Sequence, residues 1–237
     1  MANPLPPRWH TTWPTCLFTQ KTHILPNSHS SHPIRGYDTP RPNNPNKDPI
    51  MVSPLKGKVL VASSQLLDPN FARAIVLIVQ HDENGAMGLV LNRALSTTVA
   101  EAWTQVSSVP YPNEDPLFQG GPCEGPLFVL HRDPNRAQME VLDGIYLSSD
   151  ADSVRALVDD AADPLKFFVG YAGWSPAQLE AELTEGAWQV AEIEPTLVLS
   201  TPDSLWDSLH KHAQNPTRGS IRPAIDPKLI PPDPSVN

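Results

Sequence analysis

Apolar residues in this chain fall into short blocks punctuated by Gly, Pro, Asn and Asp, and the spacing within each block predicts its element. Residues 58–62 alternate into a polar break at Ser63-Ser64-Gln65 and predict a first strand. Residues 74–80 and 86–92 are two further apolar runs joined by His81-Asp-Glu-Asn-Gly85. Glycine accepts positive φ and asparagine tolerates it better than most residues, so this link predicts an antiparallel hairpin.

The period then changes. Thr98 and Glu101 form a capping-box pattern, and Val99, Ala102, Trp103 and Val106 recur at helical spacing, which predicts a short amphipathic helix. Residues 110–125 are dense in Pro and Gly and read as a long loop. Strands are expected at 127–131 and at 141–148, the latter interrupted by Asp143-Gly144. Ser149 opens a helix that places Val154, Leu157, Val158 and Ala161 together, and Asp163-Pro164 stops it. Residues 165–171 form the most apolar later strand. They lead into Ser175 as an expected N-cap, Pro176 at the first helical position, and Gln178 placed to reach back. Gly186 is expected to end that helix in the left-handed conformation. Residues 188–193 and 196–200 read as strands, and Thr201-Pro202 starts a last helix over 203–213.

Strands and helices thus mix without strict βαβ alternation. The expected fold is α+β: a single domain with a mixed, largely antiparallel, partly barrel-like sheet and about four short helices.

Proline sets the expected boundaries. Ten of the 28 prolines lie in residues 1–50 and six in residues 214–237, where apolar runs are also lacking. One folded domain is therefore expected over 51–213, with a Pro-rich disordered tail over 214–237. Residues 1–50 read as a disordered extension or as codons preceding a true start at Met51. A secretory signal is disfavoured because residues 9–20 contain no continuous apolar core, and the prolines at 4, 6, 7 and 14 oppose the amphipathic helix of a transit peptide. His10, His23, His29 and His32 lack regular ligand spacing and read as solvated.

Charge narrows the function classes. Residues 1–50 carry five Lys/Arg against two Asp/Glu, whereas residues 51–237 carry twelve against 24. So acidic a domain, without a Lys/Arg cluster, disfavours direct nucleic-acid binding. The longest apolar run, Ala74-Ile-Val-Leu-Ile-Val79, is far short of the roughly 18 residues of a spanning helix, so membrane insertion is not expected. Two cysteines, Cys16 and Cys123, do not make a disulfide framework, and a reducing, cytoplasmic location is expected.

Three segments carry the candidate chemistry: Gly85-Ala-Met-Gly-Leu-Val-Leu-Asn92, Gln119-Gly-Gly-Pro-Cys-Glu-Gly125, and Gly170-Tyr-Ala-Gly-Trp-Ser-Pro-Ala-Gln-Leu-Glu180. With Gly57-Lys-Val-Leu-Val-Ala62, Asp68-Pro-Asn-Phe71 and Leu127-Phe-Val-Leu-His131, and in this order, they resemble the AlgH family, also called YqgE. The resemblance covers roughly residues 54–210. It implies a small bacterial protein of unestablished biochemical activity and a native start near Met51; transcriptional regulation is attached to the family name as an alternative reading, which the acidic domain confines to action through a protein partner. Cys123 departs from the aliphatic residue that the family pattern leads one to expect there.

Each candidate has a structural and a functional reading. Gly120-Gly121-Pro122 is a tight turn or an anion cradle of backbone amides, but it lacks the Lys and Ser/Thr of a phosphate loop. Trp174, after Gly173, is a core anchor or a ligand platform. Cys123 and His131 would make an activated thiol if they met in space. Ser175 lacks the second glycine of a nucleophile elbow. His81, Asp82 and Glu83 read as a solvated turn, and Glu180 and Glu182 point to different helix faces, so no metal is expected, nor any other cofactor. The expected function is regulation or the binding of a protein or small molecule at a face containing Asn92, Gly120, Gly121, Pro122, Gly173, Trp174 and Gln178, without catalysis. The rival is a hydrolase or thiol-dependent enzyme using Cys123 and His131.

Overall fold

In a computed structural model, residues 55–104, 110–160, 164–200 and 203–213 are described. Strand β1 (Val59–Ala62) is the inner partner of β2 (Ile75–Asp82), which turns into β3 (Gly85–Val90). The hairpin expected from Asn84-Gly85 is present. Its strands run further into the link than expected and leave only Glu83 and Asn84 between them, while β3 ends at Val90, short of Asn92.

After β3 the chain departs from the expected order. Strand β4 (Ala94–Thr98) precedes α1 (Val99–Trp103), and β5 (Pro116–Gln119) lies inside the segment expected to be loop. Thr98 and Glu101 do form the capping box: Thr98 Oγ1 accepts from the Glu101 amide at 3.2 Å, and the Glu101 carboxylate accepts from the Thr98 amide at 3.0 Å. Strand β6 (Cys123–His131), a 3₁₀ turn at Pro134–Arg136, β7 (Met139–Leu142) and β8 (Ile145–Ser148) follow. Helix α2 (Ala151–Asp159) is capped by Asp150, whose carboxylate accepts from the Ser153 amide at 2.8 Å. Val154, Leu157 and Val158 form its buried face, as their spacing predicts.

Strand β9 (Lys166–Trp174) leads to α3 (Gln178–Thr184), β10 (Trp188–Ala191), α4 (Pro195–Ser200) and α5 (Leu205–Ala213). The 196–200 run expected as a strand is therefore helical. Pro195 occupies its first position, where the missing N–H is harmless, and Leu197 and Val198 turn inward together. Val106, Ala161, Asp163 and Thr201-Pro202, together with the expected terminal segments, lie outside the described residues.

The sheet order is β10-β1-β2-β3-β9-β6-β8-β7, with β4 and β5 branching from β9. The sheet is open rather than closed into a barrel. It is antiparallel except where β5 runs parallel to β9, so the α+β reading holds, with five helices rather than about four among the described residues.

Strand β9 is the seam. Its first half pairs with β5 on one edge and β6 on the other, and its last three residues, Ala172 to Trp174, pair with Ala86 to Gly88 of β3. Two cores lie at its ends. One gathers Leu60, Phe71, Val76, Ile78, Trp174, Leu179 and Trp188, and the other gathers Trp103, Tyr111, Leu117, Val129, Leu157 and Phe167.

Candidate functional site

The three segments singled out in the sequence meet at β9, where backbone packing uses most of them. Gly120 stitches two strands together. Its amide donates to the Val169 carbonyl of β9 and its carbonyl accepts from the Val90 amide of β3, both at 2.8 Å. The chains approach so closely that a Cβ on Gly120 would run into the Gly170 carbonyl, and one on Gly121 into the Tyr171–Ala172 peptide. Pro122 is half-buried beside them, and Gly173 pairs with Met87. Asn92 acts through its side chain. Its Oδ1 accepts from the Ile75 amide and its Nδ2 donates to the Arg73 carbonyl, each at 2.9 Å.

Trp174 is buried against Phe71 and Trp188, with ring centres 6.3 and 6.1 Å away. One carboxylate on α3 organises this cluster. Glu182 Oε2 accepts from the indole N–H groups of Trp174 at 2.9 Å and Trp188 at 2.8 Å, while its Oε1 accepts from Gln178 Nε2 at 3.0 Å. Gln178 Oε1 accepts in turn from the Ser175 amide at 3.1 Å and from its hydroxyl at 3.0 Å. The reach-back expected of Gln178 is thus present, but Ser175 is not an N-cap. The chain passes through a left-handed residue, Ala177 at φ 63°, before the helix begins at Gln178, and the Ser175 hydroxyl bonds Gln178 instead of a helix amide.

Cys123 and His131 stand at opposite ends of β6, separated by eight residues of extended strand, on the order of 25 Å. The thiol–imidazole pair imagined from the sequence does not form. Both are buried. The Ser148 hydroxyl donates to the Arg136 carbonyl at 2.5 Å, so it accepts from His131 Nε2–H at 3.0 Å. Burial lowers the His131 pKa below the usual imidazole value, against the pull of Asp133.

Two buried cationic or ionisable groups escaped the sequence reading. Lys166, at the start of β9, donates to the Val198 carbonyl of α4 at 3.2 Å and lies 4.3 Å from the Phe118 ring centre; burial pushes its pKa down to about 7. His81 is not a solvated turn residue. Because β2 extends to Asp82, its side chain turns inward, is only 5% exposed, and bonds to Leu55 and Glu180. Among the described residues, no three His, Cys, Asp or Glu side chains converge as a metal ligand set, and no helix is long and apolar enough to cross a membrane.

The exposed counterpart of this packing is the loop 65–73, which connects β1 to β2. Leu67 is 83% exposed, the most exposed large apolar side chain among the described residues. The loop beneath it is tied at several points. Asp68 accepts from the Asn70 amide at 2.8 Å, and Arg93 donates to the carbonyls of Pro69 at 2.7 Å and Ala72 at 3.1 Å. Arg73 takes a left-handed φ of 57°, held by Asn92 through its carbonyl; its guanidinium lies 4.1 Å from the Trp206 ring centre and pairs with Asp207 at 3.1 Å. Phe71 inserts into the tryptophan cluster. Asp68-Pro-Asn-Phe71 marked this loop in the sequence, as a motif without a role.

A family model described as AlgH-like matches residues 59–218. The chain belongs to the AlgH-like family. A UPF0301 protein of Myxococcus xanthus is 39% identical over 155 residues, covering 63% of this chain and 86% of its own length. Another, from Streptomyces coelicolor, is 38% identical over 198 residues, covering 78% and 97% respectively. The solution structure of AlgH from Pseudomonas aeruginosa superposes with a TM-score of 0.59 at 29% identity, over 74% of this chain and 93% of that one. A Corynebacterium diphtheriae protein shares the fold at a TM-score of 0.55 and 23% identity, over 68% and 87%. The motif resemblance read from the sequence is thereby confirmed. AlgH-like UPF0301 proteins form a family of uncharacterised function, and the names of these relatives state no activity.

Proposed function

We propose that this AlgH-like chain is a non-catalytic, cytoplasmic protein that binds a protein partner through the loop 65–73. The observation that carries this reading is the combination of an exposed Leu67 with a backbone fixed from below by Arg93, Asn92 and Phe71. A surface already ordered in its binding shape loses little conformational freedom when a partner docks. In this reading Asn92 and Trp174 position the contact surface, and Gly120, Gly121, Pro122, Gly173 and Gln178 hold the seam and helix behind it. A regulatory role would be exercised through that partner, since the acidic domain repels nucleic acid.

The test is a comparison of proteins retained by wild type and by Leu67→Asp under identical conditions, with thermal midpoints recorded for both. A partner retained only by the wild type, with midpoints equal, supports the proposal. Identical retention by the two proteins overturns it. Hydrolytic turnover abolished by Cys123→Ala would instead restore the thiol-enzyme reading.

A further inference from the structure

The side chain of His81 bridges the turn at Leu55 and helix α3. Its Nδ1 accepts from the Leu55 amide at 3.1 Å, and its Nε2 lies 2.8 Å from Glu180 Oε1 on α3. An amide pointing at Nδ1 requires a lone pair on that atom, so the neutral ring carries its hydrogen on Nε2 and donates it to Glu180. The two contacts respond oppositely to a second proton. On Nε2 the bond to Glu180 becomes an ion pair and gains strength; on Nδ1 the lone pair disappears and two N–H groups face each other.

Leu55 begins the turn leading into β1. The Lys58 amide donates to the Leu55 carbonyl at 2.9 Å, the Gly57 amide to Ile78 at 2.8 Å, and the Ile78 amide to Lys58 at 2.9 Å. The Leu55 side chain packs on the core around Trp174. Among the described residues, the bond from Leu55 to His81 is the outermost tie of this turn. The charged groups near the ring are Glu180, from α3, and Asp82, its neighbour on β2. Opposite it, β3 contributes Ala86, without charge, and Lys56 beside Leu55 is exposed.

We infer that His81 is a proton-operated latch, holding the turn at Leu55 when the ring is neutral and exchanging that hold for a tighter grip on α3 when the ring is charged. This conformational device is independent of the partner proposed for loop 65–73.

Amide hydrogen exchange of the full chain, followed by NMR at about pH 8 and about pH 5 on either side of the usual imidazole range, tests it. Expressed relative to the unstructured exchange rate at each pH, protection of the Leu55 amide should fall by about tenfold on acidification, the effect of losing one hydrogen bond. Protection of Ile78 should not change. His81→Asn, which keeps an acceptor near Nδ1 but cannot take up a proton, should hold Leu55 at both pH values. Unchanged Leu55 protection in the wild type, or an equal loss in His81→Asn, overturns the inference. Should that variant not fold, the ¹⁵N shifts of the wild-type ring decide: a hydrogen on Nδ1 rather than Nε2 at about pH 8 excludes the latch.

Discussion

Lys166 carries its amine 4.3 Å from the centre of the Phe118 ring, at the start of the strand on which the fold is assembled. Burial lowers its pKa from 10.5 to about 7. Between these values the unfolded chain binds a proton that the folded chain does not, so this group's contribution to stability improves as pH rises from about 7 towards 10.5 and is least favourable below. Lys166→Met should stabilise the fold near pH 7 by about 1–3 kcal/mol, after loss of the bond to Val198 is offset. Urea unfolding should show that gain shrinking towards about pH 10; an equal gain at both pH values would remove burial of charge as its cause.

His131 acts at the acid end. Its folded pKa lies below 6.5, so as pH falls through about 6.5 the unfolded chain takes up a proton before the folded one, and stability is lost until the folded value is passed. His131→Gln, which removes the titrating group, should flatten the dependence of the urea midpoint between about pH 7.5 and about pH 5. An unchanged slope would assign the acid lability to other groups.

Glu182 is the acceptor for two tryptophans and Gln178. Glu182→Ala should cost about 2–4 kcal/mol, because the indole N–H groups lose their acceptor in a largely buried site. Glu182→Gln retains one acceptor oxygen and should cost less. Denaturant unfolding monitored by tryptophan fluorescence gives both values; a loss in the Ala variant below about 0.5 kcal/mol would mean that water satisfies the indoles.

Gly120→Ala should destabilise by more than about 3 kcal/mol or prevent folding, since the new methyl meets backbone that cannot rotate away. Gly186→Ala meets nothing within 4 Å and is penalised only by its φ of 76°, which should cost about 1 kcal/mol. Comparable midpoints for the two variants in thermal unfolding would contradict the close strand crossing.

What the sequence revealed follows the range of the forces involved. The β2–β3 hairpin, the α1 capping box and the buried face of α2 depend on residues a few positions apart, and all three were legible. Strand β5 was not: its partner β9 lies some 50 residues away, and Pro116 gives it no strand signature of its own. Strand β4 is mostly exposed and lacks alternation. In α4 a run of five residues was too short for its period to distinguish helix from strand, although Pro195 was a local clue. At the candidate site, the reach-back of Gln178 to the Ser175 amide joins residues three apart and is likewise legible. His81 was missed because its burial depends on how far β2 continues and where α3 lies, and neither is written in the residues beside it.

Strand β9 also imposes an order on synthesis. Its partners β3, β5 and β6 all precede it in the chain, so a nascent polypeptide ending before Lys166 holds three strands whose shared edge has yet to emerge from the ribosome. The pairings that β9 makes with β3, β5 and β6 can form only after most of the domain has been translated, and the strand edges it covers stay unpaired until then.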